Sequence, residues 1–238
     1  RSGKTTTYES QLVRADGSIA SVLVTGVPRE IDGNPAGAIT VITDLTEQKQ
    51  IENELRSAKD LLEKALAREE RLANTDALTG INNRRNLFEL AKRKFAVASR
   101  YKQPLAALMF DIDLYKHIND EYGHDIGDQI LVKVVQTVSS ELRDADQFGR
   151  YGGDEFIILL PMTAAPQAYL LAERIRTKVE ALRIPTATGD ISVTLSIGVV
   201  EIDHSSSEET LENIFRRADE AMYQAKQGGR NRTVVFGT

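Results

Sequence analysis

The sequence predicts an α/β protein whose main domain is built on a mixed β-sheet and is preceded by a long helix and a short β segment. From Asn74 onward, helix-like and strand-like patterns alternate, which is typical of an α/β domain. A seven-residue apolar repeat precedes this part, and β-branched runs separated by turn residues come first. We therefore expect β structure in residues 1–45, a helix in 46–74 and the α/β domain in 75–238.

The first region has the pattern of short antiparallel strands. Asp16-Gly17 and Asp32-Gly33-Asn34 are turn signals, and Asp-Gly between two strand-like runs favours a tight hairpin. Around them lie three runs rich in apolar and β-branched residues: 8–14, 19–27 and 39–43. So few strands bury too little surface to form a core alone.

The end of this region resembles part of a known sensor module. Its strands, closing with residues 44–49 (DLTEQK), are similar to the last three strands of a PAS domain. A complete PAS domain is longer, so we expect its first half to be absent from this sequence. The resemblance implies that residues 1–45 are the C-terminal part of a PAS-like sensor domain.

The helical region carries a heptad pattern. Asp44 and Glu47 give a helix-start signal. A seam with spacings of four and three then runs through Ile51, Leu55, Ala58, Leu62, Ala65, Glu69 and Leu72, with only Glu69 out of character. The pattern fits either an amphipathic helix packed on its own domain or a parallel two-helix coiled coil. Charged residues fill most other positions and favour the coiled coil, and hence a homodimer.

The α/β region is predicted element by element from its apolar periodicity. Pro104 introduces a strand that has the composition of a buried one. Helices are predicted at 84–100, 126–142, 167–182 and 211–227, and strands at 105–110, 147–160 (a hairpin), 192–200 and 233–236.

Composition excludes several classes of protein. The 30 Lys and Arg against 35 Asp and Glu give a net charge of −5, which argues against a nucleic-acid-coating role. Without Cys, disulfides and thiolate metal sites are excluded. No apolar run has the length that crosses a bilayer, and no signal peptide is visible. We expect a cytoplasmic protein with no membrane contact in this part of the chain; a membrane tether in a longer parent protein remains open.

Two acidic clusters stand at the ends of apolar segments. Asp111 and Asp113 close the strand at 105–110 and are expected to share one face, where they would either cap the next helix or bind a hard cation. Asp154 and Glu155 follow two glycines at a turn and precede another apolar strand. Carboxylates from two adjacent strands that hold Mg²⁺ over a nucleoside triphosphate are common in nucleotidyl transfer, and the two clusters favour that interpretation.

The motif around the second cluster is specific to one family. Residues 152–156 read GGDEF, the signature of diguanylate cyclases, and three further blocks in the same order resemble that family: residues 74–80 with 83–85, residues 111–128, and residues 224–231. The similarity covers about residues 74–238. It implies the mixed-sheet GGDEF fold, which is similar to nucleotidyl cyclases and polymerase palm domains.

The resemblance implies a Mg²⁺-dependent nucleotidyltransferase, with Mn²⁺ as an alternative ion. Such an enzyme condenses two GTP into cyclic di-GMP and two pyrophosphates. The metal ligands would be Asp111, the Ile112 carbonyl, Asp154 and Glu155. Asp154 or Glu155 would accept the proton of the 3′-hydroxyl, and the sequence does not divide these roles.

The resemblance also implies the residues that bind GTP. Lys116 would act in catalysis by neutralising the charge that develops on the phosphates. Lys226 and Arg230 would reach the triphosphate, and Gly153 at the turn would also bind the substrate. Guanine would be recognised by Asn119, Asp128 and His124, with Tyr115 where the family usually has Phe. A carboxylate can accept from guanine N1–H and N2–H₂ together, whereas adenine offers no such pair of donors. Asn119 and Asp128 also suit turn or helix-cap positions.

Arg143 and Asp146 resemble the family's Arg-x-x-Asp product-inhibition site, and Arg174 lies where a second arginine often contacts the dinucleotide. Because each GTP must attack the other, two such domains must face each other in a dimer.

The alternative from another class is a catalytically silent cyclic di-GMP receptor that binds through Arg143 and Asp146. The intact GGDEF motif argues against it. A scaffold that only dimerises explains none of the acidic clusters.

Overall fold

The computed structural model describes residues 4–32, 34–186, 189–204 and 209–237. Within the chain there are two compact units, Arg1–Glu69 and Glu70–Thr238. None of the helices among these described residues combines the length and the hydrophobicity needed to span a bilayer.

The first unit begins with a three-stranded antiparallel sheet: β1 (Thr6–Val13), β2 (Ile19–Ile31) and β3 (Asn34–Asp44), in that order across the sheet. The hairpin turn at Asp16-Gly17 is confirmed: Gly17 has a φ of 85°, and Asp16 Oδ1 accepts from the Ser18 N–H at 2.9 Å. The second predicted turn includes Gly33, which lies outside the described residues. The buried cluster of this sheet is small (Ala20, Val22 and Val24), as expected for three strands.

Asp44 connects this sheet to the first helix, α1 (Thr46–Asn74). Its Oδ1 accepts from the Thr46 N–H at 2.9 Å, and its Oδ2 contacts Arg14 Nη2 at 2.5 Å. The Thr46 hydroxyl also donates to Asp44. The pKa of Asp44 is lowered to about 2, mainly by this hydrogen bond and then by those from the Thr46 N–H and Arg14. The predicted helix start is therefore confirmed: α1 begins at Thr46, and Asp44 accepts the N–H of this first helical residue.

Helix α1 is continuous, and the apolar seam predicted for it lies on its surface. Leu55 and Leu62 are 70% and 69% exposed, and Ile51 and Leu72 are also exposed. Most of the surface of these side chains is therefore accessible to solvent in the part of the chain that the structure describes.

The second unit has a five-stranded mixed sheet. Its strands are β4 (Leu105–Ile112), β5 (Gln147–Gly152), β6 (Glu155–Pro161), β9 (Leu195–Glu201) and β10 (Arg232–Val235), in the spatial order β10-β9-β4-β6-β5. Among these five described strands, β9 and β10 pair in parallel and the other neighbours pair antiparallel. The mixed sheet expected from the sequence is thus confirmed. A separate short ladder joins β7 (Ile184–Thr186) to β8 (Gly189–Ile191).

Helices cover both faces of the five-stranded sheet. They are α2 (Arg84–Tyr101), α3 (Tyr115–Tyr122), α4 (His124–Ser139), α5 (Ala165–Glu180) and α6 (Leu211–Gln227). Side chains of β4 alternate between two clusters: Leu108 and Phe110 pack with α4 and α5, whereas Ala107 and Met109 pack with α2 and α6. Asp111, two residues after Met109, therefore lies on the α6 side.

The structure changes the bounds of some predicted elements and adds two that were not predicted. The helix expected at 126–142 begins earlier, at His124, and ends at Ser139. Helix α3 was not predicted, because it has eight residues, is mostly polar and buries only Ile118. The short β7–β8 ladder was also missed, and β9 begins at Leu195 rather than at 192.

Helix α6 lies very close to the sheet. A Cβ on Gly198 of β9 would come within 2.1 Å of the Ala218 carbonyl oxygen and 2.4 Å of the Met222 nitrogen. Only glycine permits this approach. The close packing fixes the height of α6 above β9, and with it the position of Lys226 near the helix end.

Candidate active site

The acidic residues meet where β4, β6 and β9 lie side by side. Asp111 pairs in register with Glu155 on β6 and with Ser196 on β9. Directly opposed residues of antiparallel strands point to the same face, so Asp111 and Glu155 project together on the α6 side. The Ile112 N–H lies 3.4 Å from the Asp154 carbonyl, which connects the end of β4 to the turn before β6.

Asp111 is 7% exposed and is paired with a cation from α6: Lys226 Nζ lies 2.8 Å from its Oδ2. The pKa of Asp111 is raised to about 6: burial is the main cause, the charges of Asp154 and Glu155 add to it, and the hydrogen bond and charge of Lys226 oppose it. One ammonium group therefore does not fully compensate three neighbouring carboxylates.

The chemistry of this donor set fits a hard divalent cation. Carboxylate oxygens are the preferred ligands of Mg²⁺, and a cation would relieve the repulsion recorded in the raised pKa of Asp111. Within the described ranges, however, no three His, Asp or Glu side chains already stand in a geometry that would hold a metal ion. Lys226 contacts one of the Asp111 oxygens instead.

Asp113 does not join Asp111 as a free ligand. Its two oxygens accept hydrogen bonds from the hydroxyls of Thr194 and Ser196, both at 2.6 Å, and from the Asn231 N–H at 3.1 Å. Asp113 thus ties the segment before β9 to the loop after α6, where Arg230 and Asn231 have positive φ angles of 63° and 45°. Asp113, which is not among the metal ligands implied by the resemblance, is therefore committed to hydrogen bonds within the fold.

An arginine that sequence reasoning missed holds the GGDEF turn. Arg150 Nε donates to the Gly153 carbonyl at 2.8 Å, and its Nη1 lies 3.1 and 3.2 Å from the two oxygens of Asp76. Burial opposes ionisation of Asp76, but hydrogen bonds from Thr79 and the charge of Arg150 keep its pKa below the ordinary value. The Arg150 N–H also donates to the Asn82 carbonyl at 2.9 Å. The signal for this role was a charged residue directly beside the motif.

The residues expected to recognise guanine come together between α3 and α4. A Cβ on Gly127 would lie 1.9 Å from Asn119 Oδ1 and 3.0 Å from the Tyr115 hydroxyl, so the glycine makes room for both. Asn119 Oδ1 is buried and has no partner among the described residues. Burial raises the pKa of Tyr115, hydrogen bonding with Asn119 opposes the shift, and the charge of Asp128 adds to it. Tyr115, Asn119 and Asp128 are therefore neighbours.

Other predicted substrate residues are surface groups. His124 begins α4 and is exposed, as are Lys116 on α3 and Arg230 in the loop after α6. No direct contact between these three side chains and the acidic cluster is present in the described part of the chain.

A second pocket lies on the α4–α5 side of the domain. A cavity of about 280 Å³ is lined by Arg143, Asp146 and Arg174, among others. Asp146 Oδ2 accepts from the Arg143 N–H at 2.8 Å, which fixes the turn between them. The structure thus brings together all three residues predicted for product binding. It also adds Glu141, which the sequence did not single out.

Comparison with known proteins agrees with this geometry. The family profile for "Diguanylate cyclase, GGDEF domain" matches residues 73–232. The chain belongs to the GGDEF family of diguanylate cyclases. The match covers four of the five strands of the sheet, the first residue of β10, the acidic cluster and both groups of predicted binding residues.

Relatives of this GGDEF chain extend the comparison. Diguanylate cyclase DgcM of Escherichia coli is 37% identical over 225 residues, covering 93% of this chain and 49% of the relative. Diguanylate cyclase DosC of the same species is 44% identical over 162 residues, covering 68% and 35%. The chain therefore spans about half the length, or less, of these relatives.

A solved structure covers more than the GGDEF domain. It contains the coiled coil and GGDEF domain of DgcB from Caulobacter crescentus in complex with c-di-GMP. The TM-score is 0.72 at 28% identity, over 79% of this chain and 98% of that one.

The pKa values predict opposite effects of two conservative substitutions on stability. The folded state raises the pKa of Asp111 from 3.8 to about 6, so stability is lost as pH rises through this range. Asp111→Asn removes this pH-dependent loss of stability. At pH 8 in EDTA it should raise the unfolding temperature, corresponding to a gain of at most about 3 kcal/mol in the free energy of unfolding. Asp76→Asn should lower it, because the pKa of Asp76 is depressed in the folded state. Thermal unfolding followed by circular dichroism at pH 5 and pH 8 measures both.

The gain from Asp111→Asn should be smaller at pH 5, where the parent Asp111 is largely protonated. An Asp111→Asn variant that is less stable than the parent at pH 8 would show that the Lys226 ion pair outweighs the cost of burial.

Proposed function

We propose that this chain synthesises cyclic di-GMP from two molecules of GTP. The observation that carries the proposal is the register of Asp111 with Glu155 beneath Lys226, at the mouth of a hairpin held by Arg150. Nucleotidyl transfer requires carboxylates that can hold a metal ion, next to a positively charged side chain that can bind phosphates. Family membership supports the same reaction.

Asp111, the Ile112 carbonyl, Asp154 and Glu155 would hold Mg²⁺, or Mn²⁺ in its place. When bound, the cation lowers the pKa of the attacking 3′-hydroxyl and neutralises charge on the triphosphate. Lys226 would then leave its ion pair with Asp111 and bind a phosphate oxygen instead. Arg230 and Lys116 would be further phosphate contacts. Gly153, without a Cβ, leaves the turn open to the nucleotide.

In the reaction, the 3′-oxygen of one GTP forms a bond to the α-phosphorus of the other. The bond from that phosphorus to pyrophosphate breaks, and Asp154 or Glu155 accepts the 3′-hydroxyl proton. The same step in the opposite direction closes the ring. Two sites must therefore face each other, which a two-fold dimer provides.

Guanine would bind at the group formed by Asn119, Asp128 and Tyr115, with exposed His124 nearby. The Asp128 carboxylate would accept from N1–H and N2–H₂, and the unpartnered Asn119 amide oxygen supports a polar ligand here.

Helix α1 would form the dimer as a parallel coiled coil. Its exposed leucine seam supports this role, since repeated apolar residues on a helix surface favour a second helix. The sheet of the first unit would be the end of a PAS-like sensor that acts through α1. We infer activity in the cytoplasm, because GTP is a cytoplasmic nucleotide.

Product would bind at Arg143, Asp146 and Arg174 and inhibit turnover. A guanidinium can contact a phosphodiester or stack on guanine, and the three residues line one cavity. The same cavity supports the second candidate, a silent receptor for cyclic di-GMP. Turnover of GTP separates the two functions.

Incubation with GTP and Mg²⁺, followed by chromatographic identification of the product, tests the activity. The parent should form cyclic di-GMP, and Glu155→Gln should lower turnover by about 100-fold or more, since it weakens the metal site without changing bulk. Glu89→Gln, the same change at an exposed glutamate of α2, is the matched control. Near-normal turnover by Glu155→Gln would refute the metal-site assignment. Product binding by the parent without turnover would favour the receptor.

Base selection tests the guanine assignment. Asp128→Ser removes a charged acceptor whose loss costs about 1.5–3 kcal/mol, so kcat/KM for GTP should fall roughly tenfold or more. Discrimination against ATP should relax as well. Asp125→Ser, an exposed acid in the first turn of the same helix, should leave both values unchanged. Equal kcat/KM values for Asp128→Ser and the parent would contradict the assignment.

Substitutions in α1 test the dimer. Lysines at Leu55 and Leu62 place charges in the seam, where two copies would repel each other. Analytical ultracentrifugation should show monomer at micromolar concentration, and specific activity should rise as the protein is concentrated. Lysines at Asn53 and Asp60, which are exposed on the side of the helix opposite the seam, are the control. A seam variant that stays dimeric and fully active would exclude α1 as the dimer interface.

A further inference from the structure

Glu141 holds two cations of α5 at the edge of the Arg143 cavity. Its carboxylate accepts from Arg174 Nε and from Lys178 Nζ, and its backbone carbonyl accepts from Arg174 Nη2 at 3.2 Å. The two cations are one helical turn apart and therefore share a face. The Glu141 side chain is only 8% exposed, whereas Arg174 and Lys178 are each more than half exposed.

The carboxylate is charged at neutral pH. Hydrogen bonds from Lys178 and then Arg174 lower the pKa of Glu141 despite some burial. Glu141 lines the same cavity as Arg143, Asp146 and Arg174. Arg143 forms no side-chain ion pair with any described residue, so the two arginines of the cavity differ: one is free and the other is already neutralised.

We propose that Glu141 competes with the phosphates of the cyclic dinucleotide for Arg174, and so sets the product concentration at which feedback operates. The inference rests on the proposed product-binding site. A phosphodiester that approaches Arg174 meets a guanidinium whose charge is already matched, and it must displace or share the carboxylate. Without that carboxylate, the same cavity would present two uncompensated arginines to an anionic ligand.

The opposite role, in which Glu141 merely orients Arg174 for the ligand, predicts the opposite sign. Glu141→Gln separates the two. Glutamine keeps an oxygen that can accept from Arg174, and the backbone carbonyl at position 141 is retained, so the orientation of Arg174 is preserved while the charge is lost.

Two experiments measure the effect of Glu141 on feedback. Calorimetric titration of cyclic di-GMP into the full chain gives the affinity for product. Inhibition of GTP turnover is measured relative to each variant's own uninhibited rate. Glu141→Gln should bind product about three- to tenfold more tightly and be inhibited at correspondingly lower product concentration, because a neutral acceptor holds a guanidinium less strongly than a carboxylate does. Lys178→Gln leaves Glu141 to Arg174 alone and should weaken product binding.

Two controls accompany these variants. Glu220→Gln removes the same charge from an ion pair with Arg216 on α6 and should leave binding unchanged. Arg143→Ala should lose product binding and inhibition. Equal or weaker binding by Glu141→Gln would overturn the competition while leaving the feedback site intact. A parent that binds no product outside the GTP site would overturn both, and turnover of GTP would still stand as a separate result.

Discussion

A carboxylate at the end of a buried strand imposes the main constraint on this domain. Asp111 is the penultimate residue of β4, whose eight residues are all buried. A charge in that position must be compensated. Lys226 provides one counter-charge because α6 rests directly on β9. Glu155, which pairs with Asp111 from the neighbouring strand β6, adds a further negative charge on the same face. The sheet order and the position of the last helix therefore both serve one ionised group.

Polar contacts, most of them partly buried, connect the loops around this group. Arg150 joins the GGDEF turn to Asp76 in the first motif, and Asp113 joins the segment before β9 to Asn231 in the last motif. Segments far apart in sequence are thereby held at one edge of the sheet. Such contacts are sensitive to the loss of either partner, because the remaining group is left buried without compensation. The motifs of the family are thus joined physically, as well as ordered along the chain.

Much of this arrangement could be predicted from the sequence. Long periodic segments such as α1, α2 and α6 and the apolar strands β4 and β6 were recognised because their patterns extend over several turns or pleats. Helix α3 was missed because only Ile118 signals burial in it. The roles of Arg150, Asp113 and Glu141 could not be derived, since each depends on a partner more than thirty residues away whose distance only the fold decides.

The close approach at Gly198 has a consequence for mutational surveys of this protein. Any side chain there would lift α6 from the sheet, and Lys226 would move with it, although Gly198 contacts neither acid nor nucleotide. A screen that scores only activity would classify such a substitution as catalytic. The defect would in fact be structural: α6 would be displaced from β9, and Lys226 with it, while every reactive group stays chemically intact.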